Sequence, residues 1–194
     1  MATEAEKIFE KCGAILKGHF LLTSGLHSPI YWEKFQVLQF PHYTQKLCQM
    51  ISNHFKNQGV EVVAGPTTGG IILAFEVARE LGVRSIFAER TSEKERDFTR
   101  GFTLKPGERV LVVDDVLTTG KSINEVMAAL KKKGATIIGI GVLVDRSEEE
   151  MGFGVPLFSC HRSVTKTYSP SDCPLCAEKM PLLKPGSSPQ SEVK

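Results

Sequence analysis

The sequence predicts an α/β protein with a central, mostly parallel sheet that is flanked by helices. Three apolar runs of the kind that form buried parallel strands occur along the chain, at residues 60–64, 109–113 and 136–145. A helical pattern follows each of the first two runs. Alternating strands and helices are typical of βαβ units, which place successive strands side by side in one sheet. With 194 residues, the chain is long enough for a domain with its own core.

The composition is that of an ordinary globular protein, with 41% apolar and 24% charged residues. The net charge of +2 gives no reason to expect a nucleic-acid partner. We expect no membrane span, because no apolar run approaches 18 residues, and no secretory signal. Five scattered cysteines do not form a disulfide framework, which favours a cytoplasmic protein. They are Cys12, Cys48, Cys160, Cys173 and Cys176.

The N-terminal part of the chain is expected to contain a helix and a hairpin. Residues 3–16 form an amphipathic pattern that predicts a helix, and Gly18 is expected to break it. Residues 19–33 follow as two short extended runs around a Ser-Gly turn. Tyr31 and Trp32 lie on the second run, where they can form the core face of the hairpin or a stacking surface for a ring-shaped ligand.

A second helix, at residues 42–57, is expected to stop at Gly59 before the first buried strand. The turn at residues 65–70 is rich in Gly and Thr and leads into another helix. Such a strand-to-helix turn offers free backbone N–H groups to an anion. The inward face of the following helix is predicted to consist of Ile71, Ala74, Phe75, Ala78 and Leu81.

A polar segment at residues 90–101 separates the predicted strand at 84–89 from the central strand. Its mixed charge is compatible with a solvated hairpin. We favour a lid, because long polar excursions inside a compact domain are uncommon and often functional. Its cations would suit a lid that closes over a pyrophosphate. They are Arg90, Lys94, Arg96 and Arg100.

The central strand leads into the strongest functional motif of the chain. Asp114 and Asp115 stand where this strand ends, and the Gly/Ser/Thr turn at residues 118–122 opens a helix predicted at 119–133. The turn is a second anion site, and the two acids ahead of it suit a ligand that also carries hydroxyls or a metal. A phosphorylated sugar satisfies both requirements. Two anion loops favour a ligand with two phosphate centres.

The last predicted strands complete the sheet. The strand at residues 136–145 is followed by Arg146, which therefore lies at the sheet edge where open α/β proteins bind ligands. A short strand is predicted at 156–160. Beyond Tyr168 the sequence is rich in Ser, Pro, Gly and Lys, and residues 184–194 are expected to form a flexible tail.

The run Val112–Ser122 resembles the signature of the type I phosphoribosyltransferases, which use phosphoribosyl pyrophosphate (PRPP) as donor. Residues 22–32, the Asp145–Arg146 pair and the overall spacing make the chain most similar to the orotate-specific branch of that family. The resemblance covers residues 5–170. It implies the type I fold in a single domain of residues 1–170, with a small N-terminal hood of about residues 1–40 on a core of about 41–170. Residues 171–194 would then form a C-terminal extension.

The resemblance also implies an activity, the transfer of the 5-phosphoribosyl group from PRPP to orotate. The products would be orotidine 5'-monophosphate and pyrophosphate, formed through an oxocarbenium-like transition state. Mg²⁺ would be carried by PRPP without a direct protein ligand. A homodimer is implied, in which each lid closes onto the partner subunit's site.

Individual roles follow from the same resemblance. Asp114 and Asp115 would bind the ribose hydroxyls, and these acids together with Lys94 would be the catalytic residues. For orotate, Arg146 would pair with the carboxylate, Thr118 would touch the base, and Tyr31 or Trp32 would line the ring pocket. The residues implied for PRPP are Asp114, Asp115, Val116, Leu117, Thr118, Thr119, Gly120, Lys121, Ser122, Thr68, Gly69, Arg90, Lys94 and Arg96.

The chain departs from the orotate-specific pattern at several basic positions. Thr23 and Gly69 stand where lysines are usual, and Arg96 stands where a His is usual. A purine or another base therefore remains an alternative acceptor, although Arg146 argues against a purine. A PRPP-binding regulator without turnover is a further alternative. Such regulators usually add a DNA-binding module, for which no region of this chain is left over.

Cys173 and Cys176 form a CxxC motif that could supply two zinc ligands, with Cys160 and His161 as conceivable partners. Neighbouring residues on a strand point to opposite faces, so two thiols in a C-terminal turn are the favoured interpretation. The remaining histidines show no ligand spacing and are expected at surface or packing positions. They are His19, His27, His42 and His54.

Overall fold

The computed structural model describes residues 3–22, 24–93, 95–147, 149–163, 165–185 and 191–192. Their helices are α1 (Glu4–Lys11), α2 (Phe35–Leu38), α3 (Pro41–Phe55), α4 (Gly69–Leu81), α5 (Lys121–Lys132) and α6 (Pro174–Ala177). Their strands are β1 (Ile15–Leu21), β2 (His27–Trp32), β3 (Val62–Pro66), β4 (Arg84–Arg90), β5 (Arg96–Asp97), β6 (Arg109–Leu117), β7 (Thr136–Asp145), β8 (Leu157–Arg162), β9 (Leu183–Lys184) and β10 (Ser191–Glu192). Of these helices, none combines the length and the apolarity needed to cross a membrane.

The larger sheet has the strand order β5-β4-β3-β6-β7-β8. Neighbouring strands are parallel, except that the edge strand β5 pairs antiparallel with β4. Residues 110–113 of β6 are fully buried because helices cover both faces of the sheet, with α3 and α4 on one side and α5 on the other. The predicted α/β fold is confirmed.

The buried face of α4 differs from the prediction. Gly70 faces β3 so closely that a Cβ there would come within 2.6 Å of the Pro66 ring. This contact turns Leu73, Ala74, Val77 and Ala78 toward the sheet, at three, four, seven and eight residues from Gly70. Phe75 was expected inside but is 64% exposed, and its neighbour Ile72 is 42% exposed. The helix therefore presents apolar side chains to solvent.

The first helix is shorter than the predicted span of residues 3–16. Thr3 caps its start, and Gly13 follows its end with a φ of 65°, a left-handed conformation that glycine adopts at little cost. Residues 15–21 continue as strand β1, and Gly18, the expected helix breaker, lies inside that strand. The helix prediction failed here because the apolar spacing of residues 12–16 fits both structures.

A smaller sheet forms the hood, with the strand order β10-β9-β1-β2. Strands β1 and β2 are antiparallel, as the predicted hairpin requires, and β9 pairs parallel with β1 through Leu183 and Phe20. The C-terminal extension therefore contributes to the hood. The prediction of a flexible tail from residue 184 onward is wrong for Lys184 and for the backbone at 191–192, which form strands. Residues 186–190 and 193–194 lie outside the described residues.

The polar segment that follows β4 packs against the domain as a hairpin. Strand β5 pairs with the end of β4, and Phe98 is buried in the core on the α5 side of the sheet. Arg100 is held by Glu89 at 2.7 Å. Lys94, proposed above as a catalytic lid residue, lies outside the described residues, and closure of a lid stays a prediction.

Candidate active site

Two buried carboxylates lie within the central strand β6, which continues to Leu117 and so runs past the strand end that the sequence predicted at Asp114. Asp114 is 6% and Asp115 3% exposed, and each accepts a backbone hydrogen bond from the residue that follows it, at 2.8 Å and 2.7 Å. Burial and the adjacent charge of Asp115 raise the pKa of Asp114 to about 7. The site therefore holds carboxylate oxygens at a position where uncompensated negative charge is costly, which favours a ligand that brings hydroxyl groups or positive charge.

A lysine that the sequence analysis missed lies against this pair. The ammonium of Lys34 is 3.0 Å and 3.1 Å from the two carboxylate oxygens of Asp115. It lies two residues after the end of the hood strand β2, and no motif marks it. At Gly69, where the family resemblance leads one to expect a lysine, any side chain would overlap the Asp115 carboxylate. The hood thus places a cation beside Asp115, whereas Gly69, the first residue of α4, brings no side chain to it.

The turn after the acids forms a small cradle at the N-terminus of α5. Gly120 adopts a φ of 69°, and the helix begins at Lys121. A helix of 12 residues presents free N–H groups and the positive end of its dipole at this point. The cradle brings together the predicted loop residues. Its lining consists of Asp114, Val116, Leu117, Thr118, Thr119, Gly120, Lys121, Ser122 and Ile123.

The second Gly/Thr turn lies at the end of β3. Hydrogen bonds from Arg96 hold it in place. The Arg96 guanidinium donates to the Thr67 hydroxyl at 3.1 Å and to the Ala88 carbonyl at 3.3 Å, and its side chain is 8% exposed. The peptide bond between Thr67 and Thr68 is cis. Arg96 therefore belongs to the support of this loop, which does not fit its predicted place on a closing lid.

Glu125 on α5 was not predicted as a site residue, although it holds two of the predicted cations. It lies 3.1 Å from Arg96 and 3.2 Å from Arg90. An acid of this kind orients basic side chains and lowers the net positive charge near the loop. Nothing in the local sequence of α5 indicates the contact, because its partners come from another part of the chain.

A cavity of about 490 Å³ lies between the hood and the ends of β6 and β7. Arg146 faces it, and the Nε atom of Arg146 is buried with no hydrogen-bond partner among the described residues. Burial lowers the pKa of this guanidinium. The cavity is lined by Leu21, Leu22, Ser24, Leu26, Tyr31, Thr118, Thr119, Arg146, Thr165, Thr167, Lys184 and Pro185.

Three of the residues predicted to bind the acceptor therefore meet on one cavity, but the fourth does not. Trp32 is 6% exposed and packs edge-to-face on Phe9, with ring centroids 5.1 Å apart, and against His161. Tyr31 and Trp32 point to opposite sides of β2, because successive strand residues alternate. Since Tyr31 faces the cavity, Trp32 must face the core, so its predicted role at the ring pocket is not supported.

The C-terminal part of the chain lines the same cavity through Thr165 and Thr167, which precede the extension, and through Lys184 within it. None of these was predicted as a site residue. The Ser-, Pro- and Lys-rich composition of this region is typical of flexible segments, so it gives no indication that these residues line a cavity. Pairing of β9 with β1 brings it to the cavity, and no local pattern shows that pairing.

Two predictions about the histidines and cysteines are corrected by the fold. Cys160 donates to the Leu47 carbonyl, and the half-buried ring of His161 packs at a tilt against Phe9 and Trp32, so neither lies with the CxxC motif. His19 and His27 were expected as surface or packing residues. They are instead buried side by side, and their ring nitrogens face both thiols of that motif.

Comparisons with known proteins agree with this geometry. A family model described as the phosphoribosyl transferase domain matches residues 36–152. The orotate phosphoribosyltransferase of Desulforamulus reducens is 53% identical over 180 residues, which span 93% of this chain and 94% of that protein. The one of Pelotomaculum thermopropionicum is 50% identical over 184 residues, with 95% and 96% of the two chains covered. The chain belongs to the orotate phosphoribosyltransferase family.

A solved structure supports the same assignment. The orotate phosphoribosyltransferase from Aeropyrum pernix superposes with a TM-score of 0.67 at 29% identity, over 82% of this chain and 93% of that one. The motif at the C-terminal end of β6, with its two acids and the Gly/Ser/Thr turn that follows, thus occurs in the fold expected for an orotate phosphoribosyltransferase. Together, the hood and the central sheet of this chain form the type I phosphoribosyltransferase fold.

Proposed function

We propose that this chain transfers the 5-phosphoribosyl group of PRPP to orotate, which gives orotidine 5'-monophosphate and pyrophosphate in pyrimidine biosynthesis. The observation that carries the proposal is the half-buried side chain of Arg146, which faces a cavity beside the diacid and the phosphate cradle and whose buried Nε atom has no hydrogen-bond partner among the described residues. A guanidinium pairs with a carboxylate through two parallel hydrogen bonds. Orotate carries a carboxylate on a planar ring, so it matches this cavity.

The donor is assigned to the loops around the diacid. Residues 118–122 would hold the 5-phosphate with their backbone N–H groups and hydroxyls, at the N-terminus of α5. Asp114 and Asp115 would accept hydrogen bonds from the 2'- and 3'-hydroxyls of the ribose. The turn at Thr68 and Gly69 would hold the pyrophosphate group. These assignments place the anomeric carbon between the two loops, beside the cavity that Arg146 lines.

Catalysis in this arrangement rests on positioning and on charge. The C1–O bond to pyrophosphate breaks and takes its electron pair to the leaving group, while the N1 atom of orotate forms the new bond to C1. The proton that N1 carried passes to the released pyrophosphate or to water. Positive charge grows on the ribose ring between the breaking of one bond and the formation of the other. The carboxylates of Asp114 and Asp115 lie beside the ring and stabilise that charge. Arg90 and Lys94 are proposed to act on the leaving pyrophosphate.

Specificity for the acceptor follows from the shape and charge of the cavity. Arg146 would bind the carboxylate of orotate, and the Thr118 hydroxyl and the Tyr31 ring would hold the base. A purine has no carboxylate and would leave the buried Nε atom of Arg146 without a partner, at a cost on the order of 2–5 kcal/mol. This cost is the physical reason to prefer orotate over a purine.

We also propose that Mg²⁺ accompanies PRPP. The carboxylates of Asp114 and Asp115 are the kind of oxygen donors that Mg²⁺ prefers, but Lys34 and backbone N–H groups already engage them. The donor set therefore fits a cation whose ligands come mainly from the pyrophosphate, the ribose hydroxyls and water. Bound there, Mg²⁺ would neutralise charge on the pyrophosphate and make it a better leaving group.

A homodimer is proposed from the exposed apolar surface of α4. Ile72 and Phe75 border a groove of about 340 Å³ together with Leu38 and Pro41. A groove of this composition in contact with water favours burial against a second copy of the chain. The five cysteines are all free thiols, which supports our further proposal of a reducing, cytoplasmic compartment.

A direct assay tests the activity. The protein is incubated with PRPP, Mg²⁺ and orotate, and both the loss of orotate absorbance and the release of pyrophosphate are followed. Uracil, which lacks the carboxylate of orotate, is the matched control, and adenine and hypoxanthine are tested in parallel. Turnover of orotate alone is expected. Turnover of a purine without orotate would refute the proposal, and PRPP binding without turnover of any base would favour a regulator.

A further inference from the structure

Four side chains that the proposed reaction does not use converge in the hood. They are His19 on β1, His27 on β2, and Cys173 and Cys176 at the start of α6. Their ring nitrogens and sulfurs all lie within 4.8 Å of one another. Three of the residues are buried, and Cys176 is exposed. A set of two imidazoles and two thiols is one of the standard ligand sets of structural zinc sites.

The distances between these atoms fit a single tetrahedral ion. Zinc–sulfur bonds of about 2.3 Å and zinc–nitrogen bonds of about 2.0–2.1 Å place neighbouring ligand atoms roughly 3.3–3.8 Å apart. The Cys173 sulfur lies 3.5 Å and the Cys176 sulfur 3.8 Å from Nε2 of His19. The Cys176 sulfur is 3.3 Å from Nδ1 of His27. The two nitrogens are 2.9 Å apart, so a small outward shift would admit the ion.

The surroundings of His19 are also those of a metal ligand. Its Nδ1 atom lies 2.9 Å from the Met180 carbonyl, to which a protonated Nδ1 donates. That hydrogen bond leaves the lone pair of Nε2 directed at His27 and the thiols, which is the usual arrangement when a histidine binds a metal. Two deprotonated thiols also balance the charge of a divalent ion, so the centre can be buried as a neutral unit.

We propose that His19, His27, Cys173 and Cys176 bind a structural Zn²⁺ ion. Four protein ligands leave no open position, so the ion has no part in the chemistry of the reaction. Two ligands come from the β1–β2 hairpin and two from the C-terminal extension. The ion thus fastens the extension to the hood.

Backbone contacts on both sides of the site show what this link holds in place. His27 and Tyr168 exchange a pair of backbone hydrogen bonds of 2.8 Å and 2.9 Å, and Leu183 pairs with Phe20. Residues 165–185 therefore touch the hairpin before and after the CxxC motif. Thr165 and Lys184 of this segment line the large cavity. Zinc would stabilise that wall of the cavity, because the free energy of binding is added to the free energy of folding.

Metal analysis of the purified full chain, loaded with Zn²⁺ and desalted, tests the proposal. We expect about one zinc per chain in the wild type, and at most about a tenth of that in C176S and in C173S. Cys176 is exposed, so C176S should leave the packing intact. The matched control is C160S, which removes another thiol on a different strand and should keep its zinc. Cobalt substitution should give a thiolate charge-transfer band in the wild type and in C160S, but not in C176S.

A thermal measurement adds a readout that is independent of catalysis. A strong chelator should lower the Tm of the wild type and of C160S and should leave that of C176S unchanged. Wild-type protein that retains no zinc after loading would overturn the proposal. Zinc retained in C173S and C176S at the wild-type level would also overturn it, because the ion would then lie elsewhere.

Discussion

The ammonium of Lys34 lies 3.0 Å from Oδ2 and 3.1 Å from Oδ1 of Asp115, so a cation from the hood reaches the acids of the central strand. The two residues are 81 positions apart. This contact ties the hood to the donor loops through charge. It also supplies positive charge beside a diacid whose loop at Gly69 has no room for a side chain.

Replacement of Lys34 by Met is expected to weaken the binding of PRPP. Without the ammonium, the repulsion between Asp114 and Asp115 is no longer offset, and the carboxylates lose their fixed orientation. Since the pair is partly exposed, we expect the KM for PRPP to rise about three- to tenfold, with little change for orotate. Steady-state kinetics measure both constants. Lys17→Met, an exposed lysine on β1, is the control, and equal changes in the two constants would contradict this role.

The Gly69→Ala substitution tests the close approach of the loop to Asp115. The added methyl group would overlap the carboxylate, so either the acid or the loop must move. We expect kcat/KM for PRPP to fall about 100-fold, as is typical when reacting groups are displaced by about 1 Å. Gly152→Ala serves as the control, because a Cβ there meets no atom within 4 Å. If Gly69→Ala has wild-type kinetics, the backbone at this position can shift to accept the methyl group without any effect on the reaction.

Arg146→Met should affect the acceptor far more than the donor. Loss of a buried, charge-assisted pair costs roughly 2–4 kcal/mol, so the KM for orotate should rise about 30- to 1000-fold, with that for PRPP changed less than about threefold. Arg146→Lys should recover little, because an ammonium cannot reproduce the planar fork. Arg162→Met on the neighbouring strand is the control. A parallel rise in both constants would remove the assigned role.

The raised pKa of Asp114 predicts a pH-dependent gain in stability from Asp114→Asn. The folded protein holds this proton up to a pKa of about 7, whereas an unfolded Asp releases it near pH 3.9. The contribution of Asp114 to stability is therefore fully present below about pH 4 and is lost as the pH rises through 7. At pH 8 the Asn variant should melt on the order of 5 °C above the wild type, and the difference should shrink at pH 5. Lower stability of the variant at both pH values would contradict this account.

Phe75→Glu should disrupt the proposed dimer. The substitution puts a charge into the apolar groove on α4 while leaving the core untouched, because Phe75 is 64% exposed. We expect a monomer by light scattering at micromolar concentration, with an unchanged circular dichroism spectrum. Met180→Glu, another exposed apolar position outside this groove, should remain dimeric. A Phe75→Glu variant with the mass of the wild type would exclude the groove as the contact.

Features encoded by adjacent residues were predictable from the sequence. The strand from Val110 to Val113, the two acids and the turn that opens α5 depend on one another only locally. The strand and the helix are found, although the strand continues past the acids to Leu117 and the helix begins at Lys121. Arg146 could be placed as well, because the ends of parallel strands share one edge of the sheet.

Features that depend on distant contacts were not predictable. The choice between Tyr31 and Trp32 requires the face of β2 that meets the core, and the exposure of Phe75 follows from the contact between Gly70 and Pro66. The cluster of His19 with Cys173 joins residues 154 positions apart. Such contacts leave no periodic pattern, since each partner alone looks like an ordinary polar or apolar position.

The pairing of β9 with β1 has a consequence for how substrate choice can change. The donor loops are encoded in the middle of the chain, between residues 65 and 122, whereas most of the acceptor cavity comes from residues 21–31 and 165–185. Substitutions near either end of the chain can therefore reshape the base pocket without touching the ribose and phosphate contacts. We therefore expect acceptor preference and donor recognition to be separable: a library confined to residues 21–31 and 165–185, which leaves Lys34 unchanged, should alter the first while preserving the second.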